Sequence, residues 1–128
     1  MKEIEEILDM LDWNKAQEVQ KGGIAFAQKM EDIGSFIQPL TPQYNKNVWE
    51  NCAIIIAQRS DEVIKPYLIE LLEWLQDMNW PGAFCIRTRL SNYHDKSSLI
   101  NAINICIAKA NRCNDKEWKN NLESIIYK

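Results

Sequence analysis

Apolar positions recur at helical spacing along almost the whole chain. Leu68, Leu71, Leu72 and Leu75 fall at i, i+3, i+4 and i+7, the stripe of a helix that buries one face. The same period puts Ile4, Ile7, Leu8 and Leu11 on one side of a short helix over residues 2–11, with Glu5, Glu6 and Asp9 opposite. A second helix is expected from a cap at Asn14 to about residue 30. Within it Gly22-Gly23 marks either a split or a place where another element comes close. Gly34 to Asn47, with Pro39, Thr41, Pro42 and Asn45, reads as a connecting loop. Its centre, around Tyr44, is a candidate contact surface.

Further helices are expected over 46–58, 67–77, 81–93, 96–111 and 115–126. Their core stripes are Val48, Cys52, Ile55 and Ile56; the leucines above; Phe84, Ile86 and Leu90; Leu99, Ile103, Cys106, Ile107 and Ala110; and Trp118, Leu122, Ile125 and Ile126. Ser60, Asp95 and Asn114 are suited to cap helix starts, and Pro66 to break a helix. No strand-length segment alternates with period two, so the fold class is all-α.

The stretch from Leu71 to Ala83 organises the rest. It ends one helix, turns sharply and starts the next. Asp77 and Asn79 are turn formers, and Pro81 fits the first turn of a helix, where its missing N–H costs nothing. Trp74 and Trp80 flank the turn as wedges between the two helices. Tryptophans at 13, 49, 80 and 118 open helices at spacings of 36, 31 and 38 residues. Two-helix repeats of that length build an α-solenoid, in which each pair covers its neighbour's apolar face. The expected architecture is a single domain, 1–128, forming a short right-handed α-solenoid of stacked antiparallel helix pairs, HEAT-like, with about six to seven helices. A compact, non-repeating bundle is the other arrangement.

Composition narrows the function more than the fold. The net charge of −3 argues against nucleic acid as a general partner, because such binders carry a basic footprint. Cys52, Cys85, Cys106 and Cys113 form no C-x-x-C pair and His94 is the single histidine, so no metal site is expected. No cofactor is expected either, since no phosphate-binding glycine loop is present. A basic, apolar leader is absent and the longest apolar run, Cys52 to Ala57, is too short to span a bilayer. The expectation is therefore a cytoplasmic protein with reduced thiols and no membrane contact.

The segment Leu72-Glu73-Trp74-Leu75-Gln76-Asp77-Met78-Asn79-Trp80-Pro81-Gly82-Ala83 resembles the signature of a small, uncharacterised bacterial domain family whose members look HEAT-like. Asn47-Val48-Trp49-Glu50-Asn51-Cys52-Ala53 and Tyr67-Leu68 fit the same pattern, and the resemblance covers about residues 46–90. Trp49, Trp74, Asp77, Asn79, Trp80 and Pro81 are its signature positions. The resemblance implies a link to bacterial polymorphic-toxin immunity proteins, which bind and block a cognate toxin. It implies no catalytic residues.

The expected function is therefore a protein-binding module, in the immunity sense a toxin binder, and not an enzyme. Glu70, Glu73 and Asp77 at i, i+3 and i+7 offer one acidic helix face to a basic partner, and Tyr44 offers a loop contact. The ordinary reading of such carboxylates is a solvated face, which pairing of two or more of them with lysine or arginine would strengthen. The competing function is a HEAT-like DNA-repair glycosylase or another nucleic-acid-binding enzyme. It would draw on Trp74, Asp77, Trp80, Arg87 and Arg89, but the basic residues do not cluster enough to track a phosphate backbone.

Overall fold

The computed structural model describes residues 3–38 and 46–126, and all regular structure among them is helical. The α-helices are α1 (Ile4–Met10), α2 (Gln17–Gln28), α3 (Trp49–Ala57), α4 (Asp61–Ile64), α5 (Leu68–Glu73), α6 (Ala83–Ser91), α7 (Lys96–Arg112) and α8 (Lys116–Ile126). Short 3₁₀ turns cover Gly34–Phe36, Lys46–Val48, Lys65–Tyr67 and Trp74–Gln76. Residues 61–76 form one segmented rod, because Pro66 breaks its register and the last turn tightens to 3₁₀. Tyr44 and the loop centre from Leu40 to Asn45 lie outside the described residues.

Two rows of helices organise the core. α3 packs on α6 and α6 on α8, while α5 packs on α7, and α1 and α2 close the α3 side. α3 and α6 run in the same direction. A Cβ on Gly82, just before α6, would lie 2.9 Å from the Trp49 carbonyl, whereas Arg89, in the last turn of α6, reaches the Arg59 carbonyl just past α3 at 2.9 Å. α5 and α7 are parallel as well: Cys106 lies at the Ile69 carbonyl and Lys109 at Glu73. α3 is apolar on most sides because it is covered on most sides, with Cys52, Ala53, Ile55 and Ile56 all fully buried.

Gly22-Gly23 does not split α2. A Cβ on Gly23 would sit 2.9 Å from Met10 Cβ and 3.0 Å from Leu11 Cδ2, so the pair lets α1 approach closely. Ser60 and Asp95 cap as the sequence indicates, accepting from the Val63 and Ser98 amides.

Four expectations need correction. Asn14 does not cap α2, which begins at Gln17; the Asp12 carboxylate takes the Asn14 N–H at 2.8 Å and makes a turn there instead. Pro81 is not the first residue of α6, because Gly82 follows it in the left-handed region (φ +86°) as the N-cap. Asn114 does not cap α8. It ends α7 in the left-handed conformation (φ 56°), and the Asp115 N–H closes back on the Ala110 carbonyl at 2.8 Å in a Schellman arrangement. Asp115 then caps α8 through the Trp118 N–H at 3.0 Å. Phe84 is not in the core: it is 65% exposed, since the buried face of α6 runs through Ala83, Ile86 and Leu90.

Candidate functional site

The central turn is built around three tryptophans. Trp49, opening α3, stands edge-to-face against Trp74 at 5.8 Å between centroids and against Trp80 at 5.4 Å. The Lys46 ammonium lies 5.7 Å from the centroids of both Trp49 and Trp80. Trp74 is fully buried and donates its indole N–H to the Pro81 carbonyl at 2.9 Å, which ties the start of the turn to its end. Asp77 accepts the Asn79 N–H at 2.8 Å through its side chain and the Trp80 N–H at 3.0 Å through its carbonyl. Gly82 donates its N–H to Glu50 at 3.1 Å. The Trp49 indole N–H is buried with no hydrogen-bond partner among the described residues.

The rod carrying this turn is anchored from the far side. Trp118 donates its indole N–H to the Leu72 carbonyl at 3.1 Å, and Asn121 donates to the Leu75 carbonyl at 2.8 Å. These bonds satisfy carbonyls where the α-helical ladder gives way to 3₁₀ geometry. Trp49, Trp74, Asp77, Asn79, Trp80 and Pro81 are thus brought together as one hydrogen-bonded, ring-stacked corner.

The proposed acidic stripe is arranged differently. α5 ends at Glu73 and Asp77 has extended backbone, so Asp77 leaves the helical face that Glu70 and Glu73 share. Glu73 pairs with Lys109 at 3.4 Å. One oxygen of half-buried Glu70, Oε2, has no hydrogen-bond partner. The glycosylase candidates are likewise separated: Arg87 binds Ser124 at 3.0 Å, and Arg89 binds Asp61 at 2.6 Å on the α3 side.

Two arginines take up capping roles that no sequence motif flags. Arg59 donates to the Ala27 carbonyl at 2.8 Å and the Met30 carbonyl at 2.6 Å, capping the end of α2. Arg89, one helix further on, does the same for the end of α3 through the Arg59 carbonyl. Asp61 completes this second knot by accepting the His94 N–H at 3.0 Å. That bond first, and the Arg89 guanidinium second, hold the Asp61 carboxyl below its ordinary range. His94 itself is exposed and contributes its backbone here.

The two core thiols show no activation. Burial pushes the Cys106 thiol up to about 11 and raises that of Cys52 further. Among the described residues no three His, Cys, Asp or Glu side chains converge as metal ligands, and no helix is long and apolar enough to cross a membrane. What sequence reasoning missed is at the surface: Trp13 is 47% exposed and Phe84 projects beside a shallow groove lined by Ala57, Cys85, Thr88 and Arg89.

No curated protein and no solved structure matches this chain. Residues 45–128, from the turn before α3 to the end of the chain, match a family described as a domain of unknown function, DUF5071, and the chain belongs to that family.

Proposed function

We propose that this chain is a protein-binding module of the helical-repeat type. The observation that carries the reading is that two large aromatic side chains, Trp13 and Phe84, stand 47% and 65% exposed. Exposed aromatics on rigid supports are the usual anchors of protein interfaces.

The repeat reading has its own support. The parallel rows α3/α6 and α5/α7 are what successive stacked helix pairs produce. A shift of 31 residues, the Trp49–Trp80 spacing, also carries buried positions onto buried positions: Cys52 onto Ala83, Ile55 onto Ile86, Leu68 onto Leu99 and Leu72 onto Ile103. We read the chain as a short right-handed, HEAT-like solenoid on that basis. The resemblance of its central signature to domains associated with toxin immunity makes a cognate bacterial toxin the first partner to test, with a cytoplasmic encounter.

The test is capture from native lysate with the purified chain, followed by reconstitution of the captured protein with the chain and measurement of stoichiometry. A defined complex that is lost in Trp13→Ala or Phe84→Ala, with the melting temperature unchanged, supports the reading. A chain that binds no protein but turns over a nucleic-acid or small-molecule substrate overturns it.

A further inference from the structure

We infer that the α1–α2 end of the molecule, centred on Trp13, is its docking face, and that the face takes a cationic protein surface rich in arginine. The inference rests on the protein-binding reading above and adds the location and the chemistry of the partner.

Trp13 lies in the turn between α1 and α2. Its backbone is fixed at both ends, with its N–H on the Asn47 carbonyl at 3.0 Å and its carbonyl on the Gln20 side chain at 3.2 Å. Gln20 is itself tied to the Lys15 carbonyl, and Asn51 reaches across to both Gln20 and the Leu11 carbonyl. The ring therefore stands 47% exposed on a support with little freedom, which lowers the entropy lost when a partner covers it. Val19, one turn into α2, is exposed as well.

Charge selects the occupant. Residues 1–44 hold eight carboxylates against four lysines, while 45–128 hold ten carboxylates against eleven lysines and arginines. All of the net negative charge thus belongs to the N-terminal segment. Glu3, Glu5, Asp9 and Glu18 are exposed on α1 and α2. An exposed indole on an acidic segment, where Asp9 is paired with Lys15 at 3.6 Å and Glu3, Glu5 and Glu18 are exposed, favours guanidinium groups, which stack on the ring and pair with the acids. The segment also lies outside the matched family region, residues 45–128.

The experiment is an amide and indole NMR titration of the labelled full chain with an oligo-arginine peptide, and separately with an oligo-glutamate peptide. Oligo-arginine should shift the Trp13 indole resonance and amides of residues 3–20, oligo-glutamate should not, and added salt should reverse the shifts. Trp13→Ala should weaken binding at least about tenfold, with Trp13→Tyr retaining most of it. Both variants keep the backbone bonds of residue 13, and an unchanged melting temperature confirms the fold. Shifts centred on Glu70 and Glu73, or affinity indifferent to Trp13→Ala, overturn the inference. So does a salt-sensitive rise in mass with concentration that Trp13→Ala abolishes, which would assign the face to a second copy of the chain. A natural partner captured equally well by Trp13→Ala overturns this placement while leaving the protein-binding reading intact.

Discussion

At the scale of single residues, Gly82 sets the geometry of the central turn. Its φ of +86° is open to glycine, and a Cβ there would lie 2.7 Å from Ala53 Cβ, 2.9 Å from the Trp49 carbonyl and 3.0 Å from the Trp74 ring. Neither Ala53 nor the α3 backbone yields easily, because Ala53 is fully buried and α3 is covered on most sides. Gly82→Ala should therefore cost about 2–4 kcal/mol, combining left-handed strain with overpacking, read as a fall in the urea midpoint at constant slope. The Pro81-Gly82 pair is a turn signal in the sequence, but its direction was not legible there. Whether proline starts the helix or glycine caps it depends on the closeness of α3, some thirty positions earlier in the chain. Asp61 carries the pH dependence at this scale. Its carboxyl is held down chiefly by the His94 N–H and then by Arg89, so its folded-state value lies below the unfolded one. The contribution is fully present above the ordinary aspartate value of about 3.9 and is lost as the pH falls through the folded value. Asp32, lowered by the Gly34 N–H and the Tyr67 hydroxyl, acts in the same sense. Stability should thus decline on acidification below about pH 4, and Asp61→Asn should flatten that decline in denaturant midpoints measured across the range.

At the scale of elements, what could be read in the sequence was what is local. The caps Ser60 and Asp95 work over three residues, through groups their own helices supply, and both stand where expected. The stripes of α5 and α7 are buried as their spacing requires, except that Ile107 is only partly buried. Non-local bonds were invisible. Arg59 reads as a helix-ending charge, yet its guanidinium reaches carbonyls 29 and 32 residues earlier and closes the end of α2. Phe84 failed for the complementary reason: an apolar residue at helical spacing still needs a neighbour to cover it, and α6 turns Ala83 and Ile86 inward instead. The even spacing of the acidic stripe could not show that the rod tightens into a 3₁₀ turn at Trp74–Gln76, which takes Asp77 out of helical register with Glu70 and Glu73. The arginine cap yields a specific outcome. Arg59→Ala strips hydrogen bonds from two carbonyls at the end of α2 and should cost about 2 kcal/mol, given the charged donor. Amide exchange should speed most at that helix end and across its contact with α3, while α7 and α8 keep their protection.

At the scale of the whole molecule, the cysteines report on how complete the packing is. Cys52 sits inside α3 and Cys106 on α7 against the Ile69 carbonyl, both fully buried. Cys85 is half-buried on α6, and Cys113 is exposed where α7 ends. A thiol reagent needs both access and thiolate, and burial withholds both from Cys52 and Cys106. The native chain at neutral pH should label first at Cys113, more slowly at Cys85, and at the two core thiols only at the rate of unfolding. Mass spectrometry of timed samples would give this order directly. The order separates two arrangements of the helices. In a stack of pairs, α3 and α7 lie in different rows, and local fraying at one end should free one core thiol before the other. In a single cooperative bundle, Cys52 and Cys106 should appear together with the global unfolding rate. Parallel α3 and α6 beside parallel α5 and α7 favour the first pattern. Cys106 lies against the Ile69 carbonyl of the central rod, which the Trp118 and Asn121 bonds anchor from α8, so Cys52 should be the earlier of the two. Simultaneous labelling would instead make α3 and α7 parts of one cooperative unit.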